Sequence, residues 1–168
     1  MSPTSGQSLL ITAIDFPPQI GGVATFSWEV AHSFHQLGFD VTVVTRQRDQ
    51  QKINAPFKIL EYSLPESGLL SVPLMRSHLK NLIEKNNFDA FFSTLWLPGG
   101  LALNLCLPQK SSHFICVHGM EIVESSQSWK KRLRKLLISI AKQQCFADAT
   151  AIFCVSRFSR DLLLETLD

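Results

Sequence analysis

Six short apolar runs separated by stretches of helical periodicity leave few folds open to this chain. The runs are Leu9–Ile14, Val41–Thr45, Phe57–Tyr62, Ala90–Ser93, His113–Val117 and Ala151–Val155. Several are apolar at consecutive positions, as strands are when both faces of a parallel sheet are covered. Between the first two, Val23, Phe26, Val30, Phe34 and Leu37 recur at steps of three and four, an inward stripe that Gly38 ends as a C′ glycine. Further helices are expected over Val72–Glu84, Leu101–Leu107 and Trp129–Cys145, with a last one beginning after Ser156. Strands alternating with helices specify an α/β domain: a Rossmann-like, doubly wound, mostly parallel sheet with helices on both faces.

The chain's 168 residues correspond to one domain large enough to hold a core without staples. Hydrophobic residues make up 45% and charged residues 18%, which excludes a disordered or coiled-coil chain. The formal charge of +2 argues against a global polyelectrolyte binder, and no nucleic-acid motif is present. No stretch reaches the ~18 apolar residues of a membrane span. The N-terminus lacks the basic and cleavage regions of a signal peptide. Cys106, Cys116, Cys145 and Cys154 form no Cys-x-x-Cys pair, so reduced core thiols in a cytoplasmic protein are expected, with no metal site.

In a doubly wound sheet ligands gather at the carboxyl ends of strands, which gives four loops to weigh. After the first run, Pro17, Pro18, Gly21 and Gly22 lead into a helix with bare backbone amides: an anion site, or a plain tight turn. It matches neither Gly-x-Gly-x-x-Gly nor a P-loop. After the fifth run come His118, Gly119, Met120 and Glu121. An imidazole there either serves a ligand hydroxyl or is satisfied by backbone. After the fourth, Trp96, Pro98, Gly99 and Gly100 repeat the first loop's logic, and Trp96 either stacks on a ligand or packs in the core. After the sixth, Ser156 is placed as an N-cap and Arg157 stands where it would help hold a phosphate.

A fifth feature is basic. Lys130, Lys131, Arg132, Arg134 and Lys135 precede Lys142, and no acid lies between Ser125 and Ala147. As a helix this segment has a basic face suited to an anionic membrane surface. Its Leu133, Leu136, Leu137 and Ile140 are expected to pack on the sheet, so any membrane attachment would be electrostatic and peripheral, at the inner face. The alternative is a solvated basic face.

Taken in order, Phe16-Pro17-Pro18 with Gly21-Gly22-Val23, then Leu37 to Thr45, then His118-Gly119-Met120-Glu121 and Val155-Ser156 resemble the N-terminal domain of family 4 glycosyltransferases, the retaining group of the GT-B fold. The resemblance implies one half of a two-domain enzyme with its active site in the cleft between the halves. It implies an acceptor-side domain over residues 1–168, a nucleotide-diphosphate sugar as donor substrate and no permanently bound cofactor or metal. Gly21 and Gly22 would approach the donor diphosphate and His118 the donor sugar. Glu121, Trp96, Gly99, Gly100, Ser156 and Arg157 would line the acceptor side. The hydroxyl acceptor would be free or lipid-linked. The family's basic pair and Glu-x(7)-Glu motif belong to the second domain and have no counterpart here, so the C-terminal nucleotide-sugar domain is expected to be missing from the chain. The rival expectation is a non-catalytic module that docks on an anionic membrane or a partner protein. A weaker third is a flavodoxin-like cofactor binder.

Overall fold

A computed structural model of the chain describes residues 6–48, 53–108, 111–119 and 129–167, the side chains of 129–136 and 166–167 excepted. Six strands form one sheet: β1 (Ser8–Thr12), β2 (Asp40–Arg46), β3 (Lys58–Tyr62), β4 (Ala90–Ser93), β5 (His113–Val117) and β6 (Ala151–Cys154). Every pairing is parallel, in the order β3-β2-β1-β4-β5-β6. The order reverses between β1 and β4, so the crevice of this sheet lies there. The strand expectations hold to within two residues at each end.

Side chains alternate across the sheet and build two cores. Leu10, Val44, Phe91, Ile115 and Val117 face one side and pack against Met75 and Leu79 of α2 (Gly68–Lys85), Leu101 and Leu103 of α3 (Leu101–Asn104), and Cys145 and Phe146 of α4 (Trp129–Asp148). Leu9, Ile11, Val41, Val43, Phe92 and Cys116 face the other side, where α1 (Gly22–Gln36) supplies Ala31. Right-handed crossovers put α2, α3 and α4 on one face and leave α1 on the other. The second face beyond α1 opens as an apolar groove of about 580 Å³ whose floor includes Phe92, Phe114 and Phe153.

Three expectations are corrected. The fully buried positions of α1 are Ala24, Ser27 and Ala31. Small residues let the helix lie close on the sheet, while Phe26, Val30 and Phe34 of the expected stripe pack partly buried against the same core along the groove and Leu37 is exposed. The segment after β4 is an irregular turn, Trp96–Gly100, broken by extended Leu97 (φ −122°, ψ 133°), and only Leu101–Asn104 is α-helical. The third concerns α4. Its core side carries Ile138, Ala141, Lys142, Cys145 and Phe146, whereas Leu137 and Ile140 are 60% and 54% exposed. The expected inward Leu/Ile face is turned outward at the positions described. Leu133 and Leu136 lie among the side chains outside the described set.

The end of α1 matches expectation in detail. Gly38 adopts φ +93°, its N–H donates to the His35 carbonyl at 2.9 Å, and the Phe39 N–H donates to Phe34 at 3.1 Å. This is a Schellman closure, and the Phe34 and Phe39 rings pack edge to face at 5.3 Å as its hydrophobic contact. The last helix, α5 (Arg157–Leu167), begins after Ser156 as expected and buries Leu163.

Candidate functional site

The loop after β1 is anchored by Phe16, which is buried between Trp28 (5.8 Å between ring centroids) and Phe57 (6.5 Å). From that anchor the chain rises through Gln19 and exposed Ile20 to Gly21 and Gly22, where α1 starts. Gly21 is extended (φ 160°, ψ 159°), no side chain caps the helix, and its first turn holds no acid. A Cβ at Gly21 or Gly22 would meet nothing within 4 Å. Local packing therefore does not require these glycines, and their backbone is open to a ligand. Arg48, just past β2, donates from Nη2 to Oε1 of Gln19 and places a guanidinium beside this loop.

His118 follows β5 and is half-buried. Its Nε2 lies 3.1 Å from the Thr94 carbonyl. A carbonyl only accepts, so the proton sits on Nε2. Thr94 in turn donates its N–H (3.0 Å) and Oγ1 (3.3 Å) to the Thr12 carbonyl, which ties the ends of β1, β4 and β5 together. The imidazole also stands edge-on to Phe26 at 4.9 Å between centroids. Phe26 is one turn into α1 from Gly22, so the fold brings His118 to the first turns of the helix that the glycine loop opens.

The next residue explains how the turn is held. Gly119 is buried at φ +106°, and a Cβ there would lie 3.1 Å from Ser159 Oγ. Both the left-handed backbone and the close approach require glycine. Ser159 Oγ donates to the His118 carbonyl at 3.0 Å. Ser156 caps α5, its Oγ accepting from the Ser159 N–H at 3.0 Å, as expected. Arg157 is exposed at the first position of the same helix. The start of α5 thus clamps the His118 turn.

The Trp96 loop does not join this group. Trp96 is 2% exposed and packs edge to face on Phe146 at 6.0 Å, so its faces cannot stack on a ligand. Gly99 and Gly100 are buried as well. A Cβ on Gly99 would fall 2.5 Å from Thr12 Oγ1, and one on Gly100 would fall 3.3 Å from the Leu95 carbonyl. Gly99 admits Thr12 of β1 and Gly100 admits the carbonyl of its own turn, so both glycines and Trp96 serve packing where a place in the cleft was expected. Glu121 lies outside the described residues. Lys130, Lys131, Arg132, Arg134 and Lys135 lie on the backbone of α4, and their side chains are outside the described set.

One further imidazole is structural. His113 is buried, with Nε2 3.2 Å from Ser93 Oγ, and Thr12 Oγ1 donates to that same hydroxyl at 3.0 Å. Burial pushes its pKa down to about 4. Among the described residues no group of three or more His, Cys, Asp or Glu is placed to hold a metal ion. Within the same residues no helix is long and apolar enough to cross a membrane.

Four residues at this site escaped the sequence reading: Phe26, Thr94, Ser159 and Arg48. Ser156-x-x-Ser159 after a strand carried a usable signal. Thr94 meets His118 through its backbone carbonyl, which leaves no signature in the residue type.

A doubly wound parallel sheet with an open helix start and a fixed imidazole beside its crevice defines a Rossmann-like domain. The model of the family described as Glycosyltransferase Family 4 matches residues 20–168, and the chain belongs to that family. Among solved structures, it is similar to sucrose-phosphate synthase (tll1590) from Thermosynechococcus elongatus, with TM-score 0.74 and 14% identity, over 95% of this chain and 45% of that one. The chain thus spans less than half the length of that synthase. A short chain dehydrogenase family protein from Francisella tularensis subsp. tularensis SCHU S4 aligns over 95% of this chain and 74% of its own, at 13% identity and TM-score 0.46. No curated protein sequence matches the chain.

Proposed function

We propose that this chain is the acceptor-side domain of a retaining glycosyltransferase that moves a sugar from a nucleotide-diphosphate donor to an acceptor hydroxyl in the cytoplasm. Membership of the family supports the transferase class. The observation that carries the assignment of roles is the pairing of an uncapped, unobstructed α1 start at Gly21 and Gly22 with His118 held on the Thr94 carbonyl. The amides of the first turn and the helix dipole receive the diphosphate. His118, oriented by Thr94 and Phe26, meets the donor sugar, while Ser156 and Arg157 border the acceptor side. A second domain, carried elsewhere in the full-length protein, supplies most donor contacts and closes the cleft. This chain's part in catalysis is orientation and stabilisation of the leaving diphosphate.

The test is Gly22→Val in the full-length enzyme. A Cβ there meets nothing within 4 Å, and the branched side chain fills the space the diphosphate needs. Turnover is expected to fall at least ~100-fold, the scale of losing one such electrostatic contact, with the melting curve unchanged. Unchanged kinetics would return the Gly-Gly pair to the status of a plain turn. Calorimetry on the isolated chain with uridine- and guanosine-diphosphate sugars checks the division of labour, since micromolar binding to this half alone contradicts it.

A further inference from the structure

Two arginines stand at the carboxyl end of β2, and the fold treats them differently. Arg46 is buried and neutralised: its Nη1 donates to Glu66 Oε2 at 3.1 Å and its Nη2 to the Pro65 carbonyl at 2.7 Å. Arg48, two residues further on, is half-buried and donates from Nη2 to Oε1 of Gln19, a neutral acceptor. Among the described residues no carboxylate pairs with it, and its Nε is buried without a hydrogen-bond partner. A partly desolvated cation with no counter-charge carries a cost that this part of the fold leaves standing, and an anion placed beside it offsets that cost. Gln19 belongs to the loop that leads to Gly21 and Gly22, so the guanidinium is fixed at the site rather than free in solvent. Strand order then decides which substrate it faces. Arg48 follows β2 and His118 follows β5, on opposite sides of β1, whose loop carries the glycines. A donor whose diphosphate meets the glycine amides and whose sugar meets His118 extends away from Arg48, which leaves the guanidinium to the second substrate. Pro17 of the same loop, with Thr25, Trp28 and Ile53, lines a mainly apolar hollow of about 280 Å³, room for the carbon body of an organic acid.

We propose that Arg48, set in place by Gln19, recognises an acidic group of the acceptor, a phosphate or a carboxylate, and so restricts the acceptor to anionic hydroxyl compounds. This rests on the acceptor-side reading given above and names the acceptor's chemical class. A guanidinium stays charged at every physiological pH, and its planar fork matches the oxygens of either group.

The experiment measures binding to the chain by calorimetry and follows the Arg48 Nε–H resonance in heteronuclear NMR spectra. The probes are glucose 6-phosphate, glucuronate and neutral glucose, with uridine diphosphate standing for the donor. At least one of the two sugar acids is expected to bind in the millimolar range and to move that resonance, while glucose does neither. Binding of glucose 6-phosphate alone marks a phosphate as the recognised group, and binding of glucuronate alone marks a carboxylate. Arg48→Gln is expected to weaken that binding at least ~10-fold, the scale of one charge-assisted hydrogen bond. Arg48→Lys, which keeps the charge and loses the fork, is expected to recover part of it, and circular-dichroism melts check that both variants fold. Arg76→Gln, the same loss of charge on α2, is expected to bind as the native chain does. Failure of both sugar acids to bind overturns the proposal, as does equal binding by the native and Arg48→Gln chains. Displacement of the sugar acid by uridine diphosphate overturns it in favour of a donor role for Arg48. Gly22→Val separates this proposal from the reading it rests on: the variant is expected to leave sugar-acid binding intact, so failure of the glycine-loop assignment and failure of the Arg48 assignment give different results.

Discussion

Replacing Gly99 by Ala tests whether the second glycine pair serves packing. The added Cβ would lie 2.5 Å from Oγ1 and 3.0 Å from Cβ of Thr12. Non-bonded carbons sit at ~3.5–4.0 Å, so either the turn or Thr12 must move. Thr12 is 1% exposed, and its hydroxyl bonds Ser93 Oγ at 3.0 Å in the chain that ends on His113. Rotating it away breaks a buried hydrogen bond. Overpacking costs about 1–3 kcal/mol. Loss of the hydrogen bond adds about 1 kcal/mol. A total of about 2–4 kcal/mol in a domain of this size lowers Tm by roughly 5–15 °C. Gly22→Ala is the matched control: it meets nothing within 4 Å and sits at the first helical position. Removing that glycine's unfolded-state freedom leaves stability equal or raises it by up to ~1 kcal/mol. Thermal melts by circular dichroism and urea titrations measure both variants. The packing argument is refuted if Gly99→Ala stays within about 0.5 kcal/mol of the native chain, or if Gly22→Ala proves the more damaging change.

Two further outcomes are expected. His113 has a folded-state pKa near 4 against 6.5 in the unfolded chain, because burial disfavours its cation. The unfolded chain therefore binds the proton first, so this group's contribution is complete above about pH 6.5 and declines by up to about 3 kcal/mol as pH falls to 4. Urea titrations at pH 7 and 4.5 should show a steeper loss for the native chain than for His113→Gln, and parallel losses would refute the assignment. Ser156→Ala removes the cap of α5 and should cost about 1 kcal/mol. Hydrogen exchange localises that loss if the Ser159 and Arg160 amides gain exchange while the β1 amides do not.

The parallel sheet was legible because each strand is a short apolar run between polar boundaries, and the Schellman closure at Gly38 because a helix stripe ends there. The role of a glycine pair was not. Gly21-Gly22 and Gly99-Gly100 look alike locally, and what separates them is Thr12, a residue 87 positions before Gly99 that the pairing of β1 with β4 brings alongside. The rotation of α4 was hidden for a related reason. The helix exposes Leu137 and Ile140 on one side, and its inward side includes Lys142, which is buried. A wheel drawn on residue type alone favours the Leu and Ile line over a face that holds a lysine. His118 was found because it follows a strand directly, whereas its partner Thr94 contributes a carbonyl that any residue would offer.

The position of β1 has a consequence for how the chain is made. It lies at the centre of the sheet, yet its two partners emerge far apart during synthesis: β2 is complete at Arg46 and β4 only at Ser93. At about 5–20 residues per second, the intervening stretch from Gln47 to Ser93 takes roughly 2–10 s to be made. Throughout that interval the Leu9–Ile11 edge, which will be fully buried, has hydrogen-bonding groups with no strand to receive them. Closing it requires a contact 81 residues apart, the kind that slows folding most. The nascent chain therefore passes through a window in which a strand that ends buried on both faces of the sheet is an open template for pairing.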